Sequence, residues 1–305
     1  MMSSIHELQQ TFSKIESSVL AIGNFDGIHL GHRSIFEQVI QISKSKNVTP
    51  LVFVLFPHPK EFFTGSSPAL LTTLKDRIEW IQSLGIEKVA CLTFDRMLSE
   101  VPAQEFLKVV QKNFGLRYLV MGPTTHIGKD RDGTPQKIQE YSKILNFEFI
   151  LMPQFSLRGC NISSSLIREN ILRGEMRWVA EMLGRPYVTR GVVERGAGKG
   201  RLIGFPTANI AQIQTMVPAR GVYAGYACIH GRKYKSAINV GTRPTVASDN
   251  RLVVEAHLID FNENIVDQDL KIEWIERLRE EVKFESAEQL KIQIHRDVQK
   301  AKSIL

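Results

Sequence analysis

The sequence predicts a doubly wound α/β domain followed by a small antiparallel β-barrel that ends in a helix. Its 305 residues exceed the length of an average single domain, so two domains are expected. The first half alternates strand-like and helical segments. Near residue 184 the pattern changes to short strands punctuated by Gly and Pro. We therefore place the domains at residues 1–183 and 184–305.

In the first half, short β-rich apolar runs alternate with amphipathic helical patterns. This order is typical of βαβ units, which build a mostly parallel sheet. The predicted strands are Val19–Gly23, Leu51–Leu55, Val89–Thr93, Tyr118–Met121 and Phe147–Met152, and the predicted helices are His32–Lys44, Leu74–Leu84, Ala103–Phe114 and Pro135–Leu145.

The second half begins after two short helical patterns, Ser164–Arg173 and Arg177–Leu183. Gly184-Arg185-Pro186 ends the second of them because proline lacks the N–H that a helix needs. The strand-like runs beyond predict an antiparallel barrel or sandwich. They are Tyr187–Glu194, Gly221–Ile229, Lys235–Val240 and Leu252–Asp260, and a polar helical tail, broken near Phe284–Ser286, follows them.

Composition excludes several classes of protein. With 43% hydrophobic and 23% charged residues, the chain is of the soluble globular type. Apolar runs such as Pro50–Phe56 are far shorter than the ~18 residues of a spanning helix, so no membrane partner is expected. The first twenty residues lack the pattern of a secretory signal, which predicts a cytoplasmic protein. The three cysteines show no CxxC spacing, which argues against a disulfide framework or a zinc ribbon.

The net charge of +7 predicts anionic partners. Neither half contains the long Lys/Arg run of a nucleic-acid-binding tail. Small anions such as nucleotides are therefore favoured over nucleic acid.

The first segment that contains candidate functional residues lies between the first predicted strand and helix. It is Gly23-Asn24-Phe25-Asp26-Gly27-Ile28-His29-Leu30-Gly31-His32. Ligands of open α/β sheets bind outside the carboxyl ends of the strands, and a helix N-terminus offers free N–H groups to phosphate. His29 and His32, three residues apart, share one face of the opening turn. The alternatives are ordinary capping or surface histidines, or a metal site with Asp26 and His58.

A second segment runs from Gly196 to Asn209 in the other half of the chain. Its glycine loop is not a P-loop, because Lys199 is followed by Gly200 and not by Ser or Thr. Thr207 and Asn209, two apart on an extended segment, point to the same side, and their oxygens suit a hard cation such as Mg²⁺. Taken alone, the loop can equally be a surface turn.

The first of these segments resembles the signature of the nucleotidylyltransferase superfamily, in which His-x-Gly-His binds ATP phosphates. Phe56-Pro57-His58-Pro59, Leu71-Thr72 with Arg77, and Ile162-Ser163-Ser164-Ser165 with Arg168 narrow the resemblance to the adenylyltransferase module of bacterial bifunctional riboflavin kinase/FMN adenylyltransferases, the FAD synthetases. The resemblance implies a Rossmann-like domain. It implies catalytic roles for His29, His32 and Arg168, a flavin-binding role for His58, and ATP-binding roles for Gly23, Asn24, Phe25, Asp26, Gly31, Ser163 and Ser164.

The second segment, with Pro206-Thr207-Ala208-Asn209 at its end, resembles riboflavin kinase, as do Ile238–Thr245 and Val254–Phe261. This resemblance implies that Glu255 accepts the proton of the ribityl 5′-hydroxyl, and that Arg279, on a C-terminal helix, faces the flavin. It implies ATP-binding roles for Gly198, Lys199, Gly200, Arg201, Thr207 and Asn209, of which Thr207 and Asn209 serve Mg²⁺ through ATP.

The sequence departs from the family after the strand Tyr118–Met121. The family usually reads Gly-x-Asp-Phe-x-Phe-Gly there, whereas this chain has Gly122-Pro123-Thr124-Thr125-His126-Ile127-Gly128. An acid and two aromatic residues are lost. If those aromatics hold the flavin ring, their loss removes stacking surface.

The resemblance as a whole implies a cytoplasmic, Mg²⁺-dependent, bifunctional enzyme. Its substrates and products are riboflavin, FMN, FAD and ATP: riboflavin is phosphorylated to FMN, and FMN is adenylylated to FAD with release of pyrophosphate. One alternative is a riboflavin kinase whose N-terminal module has lost or changed its substrate. The others are a flavin-binding regulator of nucleic acid and a structural protein with vestigial sites.

Overall fold

The computed structural model describes residues 15–196, 198–243 and 251–305, without the side chains of Lys199, Arg243 and Arg251. It divides into two compact units. Within the described part, the first comprises residues up to Pro68 and Thr73–Ser163, and the second comprises Ala69–Thr72 and Ser164–Leu305. No helix of these described ranges is long and apolar enough to cross a bilayer.

The first unit is built on a five-stranded parallel sheet of order β3-β2-β1-β4-β5. Its strands are β1 (Ser18–Gly23), β2 (Thr49–Phe56), β3 (Lys88–Thr93), β4 (Leu116–Met121) and β5 (Glu148–Leu151). Alternate residues of β1 enter different cores: Leu20 and Ile22 join the core on one face, and Val19 and Ala21 the core on the other. The predicted doubly wound α/β architecture is confirmed.

Helices connect these strands close to the predicted positions. The sequence did not predict three short elements: a six-residue helix after β2, a four-residue helix after β3, and a two-stranded hairpin. All are too brief to show a hydrophobic period. The helices are α1 (Leu30–Lys46), α2 (Pro59–Thr64), α3 (Leu74–Ser83), α4 (Arg96–Ser99), α5 (Ala103–Phe114) and α6 (Pro135–Leu145), and the hairpin is β6 (Ser156–Leu157) with β7 (Cys160–Asn161).

The second unit contains a closed, six-stranded antiparallel barrel of order β10-β11-β12-β9-β8-β13. The barrel prediction is therefore confirmed. The strands are β8 (Tyr187–Glu194), β9 (Ala208–Ala211), β10 (Gly221–Ile229), β11 (Arg232–Arg243), β12 (Arg251–Leu258) and β13 (Asp269–Arg279). The helices are α7 (Ser164–Arg173), α8 (Met176–Leu183), α9 (Lys199–Leu202) and α10 (Ala287–Ile304).

One expectation about the tail is wrong: Arg279 is the last residue of β13 and does not lie on a helix. The segment alternates, with Leu270, Ile272 and Trp274 fully buried in the barrel. This period of two is that of a strand, and the many charges between the apolar residues gave it the look of a polar helix. The terminal helix begins at Ala287, where Ser286 caps it by accepting a hydrogen bond from the Gln289 amide.

Helices α7 and α8 belong to the second unit and pack on its barrel. The Ala219 amide donates to the Ile171 carbonyl at the end of α7, and α8 lies against β8 and β13. Tyr223 of β10 donates to the Ala219 carbonyl at 2.6 Å, and burial raises the pKa of Tyr223 to about 12. The domain boundary after residue 183 stays a prediction.

A fragment beginning at Ser164 is expected to be more stable than one beginning at Gly184. The two helices bury Ile167, Ile171, Val179 and Met182, and each fully buried aliphatic side chain contributes about 1.5–3 kcal/mol. Both fragments lack residues 69–72, so their comparison isolates the helices. Urea unfolding followed by circular dichroism measures the difference, and equal midpoints would favour the boundary at residue 183.

Candidate functional site

The predicted phosphate-binding segment forms the turn between β1 and α1. Its backbone enters the left-handed region at Phe25 (φ 53°), Gly27 (φ 85°) and Ile28 (φ 43°). A residue with a side chain costs about 1–3 kcal/mol in such a conformation and keeps it only when its surroundings enforce it. The Ile28 amide donates to the Phe25 carbonyl at 3.2 Å, which closes this turn just before α1.

Arg77 of α3 lies beneath this turn and is fully buried. Its Nη1 donates to the backbone and side-chain oxygens of Asn24, both at 2.7 Å, and its Nη2 donates to the Asp26 carboxylate at 2.9 Å. Asp26 is itself 2% exposed. Burial raises the pKa of the nearby Cys91 thiol, and the positive charge of Arg77 opposes that rise.

His29 and His32 stack on each other at the start of α1, with ring centroids 3.6 Å apart and planes 19° apart. His29 is the N-cap residue, and its Nδ1 accepts a hydrogen bond from the His32 amide at 3.3 Å. In the neutral ring the proton is therefore on Nε2, which remains a donor. The first turn of α1 carries no acidic residue. Two histidines and a helix N-terminus thus form a site suited to phosphate.

Gly31 allows this arrangement. A Cβ at residue 31 would lie 3.2 Å from the His29 ring and 3.3 Å from the Cβ of Phe155. Phe155 in turn accepts a backbone hydrogen bond from Ile162. The segment leading to Ser163 therefore lies close to the opening of α1.

An exposed aromatic cluster lies at the same edge of the sheet. It consists of Phe62 and Phe63 of α2 with Phe94, which follows β3, and its three ring-centroid distances are 5.2–5.9 Å. Phe63 is 66% exposed. His58 caps the same helix by accepting a hydrogen bond from the Lys60 amide. Phe62 and Phe63 follow β2, which is next to β1, and Phe94 follows β3, whose end lies two strand spacings, or ~10 Å, from that of β1.

The loop after β4, where the sequence differs from the family pattern, is anchored in the core of the first unit. Ile127 is buried and forms an isolated bridge with Gly133, and Asp132 accepts a hydrogen bond from the Ala103 amide at the start of α5. Arg131 donates to His126 Nδ1 at 2.9 Å. The loop is thus ordered around an aliphatic anchor and presents no large aromatic ring.

Ser164 and Arg168 belong to the second unit. Ser164 is the first residue of α7, and Arg168, one turn later, donates from Nε to the Ala69 carbonyl at 2.7 Å. Ser163 directly precedes the helix. The hydroxyls therefore stand at a helix N-terminus, where an anion is favoured.

A polar row crosses the outer face of the barrel. Strand register places Glu255 of β12 directly opposite Asn209 of β9 on one side and Asn239 of β11 on the other. Asn209 also pairs with Glu194 of β8. Directly paired residues point to one face with Cβ atoms about 4.5–5.5 Å apart. Their sequence neighbours, such as Ala208 and Ala256, are buried, so the polar row faces outward.

The glycine loop folds back onto this row. A Cβ at Gly196 would overlap the Asn209 amide, and one at Gly200 would come within 3.3 Å of Thr207 Oγ1. His257 of β12 donates to the Pro206 carbonyl at 2.8 Å, which fixes the extended segment that carries Thr207 and Asn209. Gly198 has φ 70° and Arg201 is exposed. The side chain of Lys199 lies outside the described residues.

Arg279 lies on the same face but has strong partners of its own. Arg279 is opposite Val222 of β10, Val222 is opposite Asn239 of β11, and Asn239 is opposite Glu255 of β12. Arg279 and Glu255 are therefore three strand spacings, or ~14 Å, apart along the sheet. Its Nε and Nη2 donate to the Asp297 carboxylate of α10 at 3.0 and 2.7 Å. The guanidinium therefore joins β13 to the helix that covers this part of the barrel.

The side-chain oxygens of Thr207 and Asn209 in the second unit suit a metal ion that is bound together with phosphate. Thr207 and Asn209 supply neutral oxygens beside a glycine cradle, and Mg²⁺ commonly keeps waters and phosphates among its ligands. The described ranges contain no group of three or more His, Cys, Asp and Glu that could hold a metal ion by itself. The described residues therefore give no support to the alternative of a metal site with Asp26 and His58.

Sequence reasoning missed three features of these sites. The motif that contains Arg77 predicts no site role for it, and the sequence predicts no role for Asn239 or for the aromatic cluster. A buried arginine is not visible from local spacing, since its partner is 51 residues away. Asn239 becomes significant only through strand register. The Phe62-Phe63 pair after the Pro-His-Pro motif was the one local signal.

Known proteins match nearly the whole chain. Residues 183–305 match a family model described as riboflavin kinase, and residues 11–166 match one described as FAD synthetase. A bifunctional riboflavin kinase/FMN adenylyltransferase of Haemophilus influenzae is 34% identical, covering 99% of each chain. The protein of that description from Escherichia coli K12 is 33% identical, covering 96% of this chain and 94% of its own.

Among solved structures, a Streptococcus pneumoniae crystal structure described as a macrolide-efflux protein is 28% identical to this chain. It superposes with a TM-score of 0.89 over 96% of each chain. Its description applies to that protein.

Proposed function

The chain belongs to the bifunctional riboflavin kinase/FMN adenylyltransferase family, and from this premise we propose which of its residues carry each reaction. It phosphorylates riboflavin to FMN with ATP, and it adenylylates FMN to FAD with a second ATP, releasing pyrophosphate. The observation that carries the assignment is the stacked His29–His32 pair at the start of α1.

Adenylyl transfer is assigned to the turn between β1 and α1. An oxygen of the FMN phosphate attacks the α-phosphorus of ATP, and the bond to pyrophosphate breaks. His29 Nε2–H, His32 and the N–H groups at the start of α1 stabilise the charge that develops on the phosphate oxygens. Gly23, Asn24, Phe25, Asp26 and Gly31 shape this cradle. Ser163, Ser164 and Arg168 are assigned to the leaving pyrophosphate by their motif.

The FMN ring is assigned to the aromatic cluster of Phe62, Phe63 and Phe94. These rings follow β2 and β3, the two strands on one side of β1, so they stand at the same edge of the sheet as the phosphate-binding turn. His58 caps the helix that carries two of them. The cluster supplies stacking surface where the loop Pro123 to Ile127 has none.

Phosphorylation of riboflavin is assigned to the polar row of the barrel. Glu255 takes the proton of the ribityl 5′-hydroxyl as that oxygen attacks the γ-phosphorus, and ADP leaves. The adjacent Asn209 and Thr207 are the residues that would hold Mg²⁺ together with the ATP phosphates, and the bound ion neutralises phosphate charge. The backbone of Gly198–Arg201 covers the triphosphate. Arg279 borders the flavin at the other end of the row.

Replacing His29 or His32 by Ala is expected to lower kcat/KM for FAD formation by about 10²–10³-fold, because each change removes a donor to the developing charge. Phosphorylation of riboflavin by the same sample should be unchanged. Chromatography of riboflavin, FMN and FAD over time measures both. His295→Ala, an exposed change on α10, is the matched control. Equal loss of both activities in a folded variant would contradict the assignment.

Glu255→Gln is expected to abolish FMN formation while added FMN is still converted to FAD. The amide keeps the shape of the side chain but cannot accept the hydroxyl proton. Glu194→Gln makes the same chemical change on the same face, beyond Asn209, and should leave FMN formation nearly unchanged. A normal rate of FMN formation by Glu255→Gln would refute its role as the base.

Phe63→Ala is expected to raise the KM for FMN in FAD formation about 2–12-fold, the equivalent of one aromatic contact. The KM for ATP should not change. Ile144→Ala is the control, because Ile144 lies in the same unit and is equally exposed, at 66%. An unchanged KM for FMN would show that the ring binds elsewhere.

A further inference from the structure

Arg77 is the most deeply buried charged side chain among the described residues, with a relative exposure of 0%. A charge taken out of water is retained only where it is paired and hydrogen-bonded. Arg77 meets this condition with a single guanidinium fork, whose two nitrogens reach the start of the phosphate-binding turn at Asn24 and its centre at Asp26.

The fork anchors the residues on either side of Phe25, the first residue of the turn with positive φ. Phe25 lies between the two anchored residues, and Gly27 and Ile28 follow directly, all three with positive φ. Asn24 is held through its backbone oxygen as well as its side chain, so Arg77 fixes the path of the main chain itself. Because His29 follows Ile28 directly, the direction in which the chain enters α1 depends on this anchoring.

The helix that carries Arg77 has anchors besides the guanidinium fork, and it shares a hydrophobic core with Phe25 and Ile28 of the turn. Thr73 Oγ1 accepts a hydrogen bond from the Asp76 amide at 3.1 Å and donates to the Asp76 carboxylate at 2.8 Å, which fixes where α3 begins. Ile81, one turn beyond Arg77, is fully buried in the adjoining core. Arg77 therefore projects from a rigid base.

We propose that Arg77 is a positioning residue for adenylyl transfer: its buried fork holds the Asn24–Ile28 turn in the conformation that places His29 and the N–H groups of α1 around the phosphates. Arg77 does not reach the molecular surface, so it acts through Asn24, Asp26 and His29 and not by contact with substrate. The proposal rests on the proposed function of this turn. It predicts that the geometry of the guanidinium matters in addition to its charge.

Arg77→Lys separates these two properties. A lysine keeps the positive charge beside Asp26 but has one nitrogen, which cannot bridge Asn24 and Asp26 in the planar arrangement of the fork. Arg77→Met removes the charge as well. Lys75→Met, on the exposed side of the same helix, is the matched control. Lys75 is 85% exposed, and its Nζ lies 3.9 Å from Glu79, which is at the outer limit of an ion pair.

Each variant is assayed for FAD formation from FMN and ATP, for FMN formation from riboflavin, and for thermal unfolding. Assays are run well below the onset of unfolding. For Arg77→Lys we expect kcat of FAD formation to fall about 100-fold, the effect of a misplacement near 1 Å. The KM for FMN and the rate of FMN formation should stay close to those of the parent, and the melting temperature should fall by a few degrees, because lysine leaves a buried acceptor without its donor. Lys75→Met should match the parent in all four.

Two results would overturn the proposal. One is an Arg77→Lys protein that forms FAD at the parental kcat. The other is a loss of FAD formation by Arg77→Lys that merely equals the unfolded fraction of the first unit, which would assign Arg77 to stability alone. Failure of the proposed function gives a different result, since His29→Ala would then form FAD normally whatever the outcome for Arg77.

Discussion

The central position of β1 is the constraint on which the first unit depends. β1 is the middle strand of five and is buried on both faces, so its carboxyl end opens at the centre of the sheet edge. The turn that follows cannot spread sideways, and it reaches α1 only through three residues with positive φ. The turn ends at His29, which caps α1 and whose ring stacks on that of His32. The chemistry of the site thus follows from where the sheet places one strand.

In the barrel, strand register brings the site residues together. Antiparallel pairing sets Asn209, Glu255 and Asn239 side by side, although they are separated by as many as 46 positions along the chain. Their neighbours in sequence fill the interior, which leaves the outer face free for polar chemistry. A slip of one residue in any of these strands would turn its member of the row inward. The fully buried Trp274, which donates to Thr189, helps to hold β13 and β8 in register.

The two sites differ in how local their signals are. The turn from Gly23 to His32 carries most of its chemistry in ten consecutive residues, so the position of His29 and His32 on one face of the opening turn was accessible from the sequence, whereas their stacking and the close packing at Gly31 were not. The buried anchor of that turn was not, because Arg77 lies on a separate helix. The tail shows the opposite error. Charges on one side of β13 concealed an alternation that the buried Leu270, Ile272 and Trp274 make plain, and Arg279 was placed on a helix as a result.

By itself, the sequence determined the fold classes, the order of nearly all long strands and helices, and the two motifs that carry the chemistry. These properties depend on local periodicity and on residues close together in the chain. The tertiary structure decided which partners the motifs have: the Arg77 fork under the turn, Asn239 beside Glu255, the aromatic cluster at the sheet edge, and Asp297 on Arg279. Such partners are set by strand register and by the burial of groups distant in sequence, and neither leaves a local pattern.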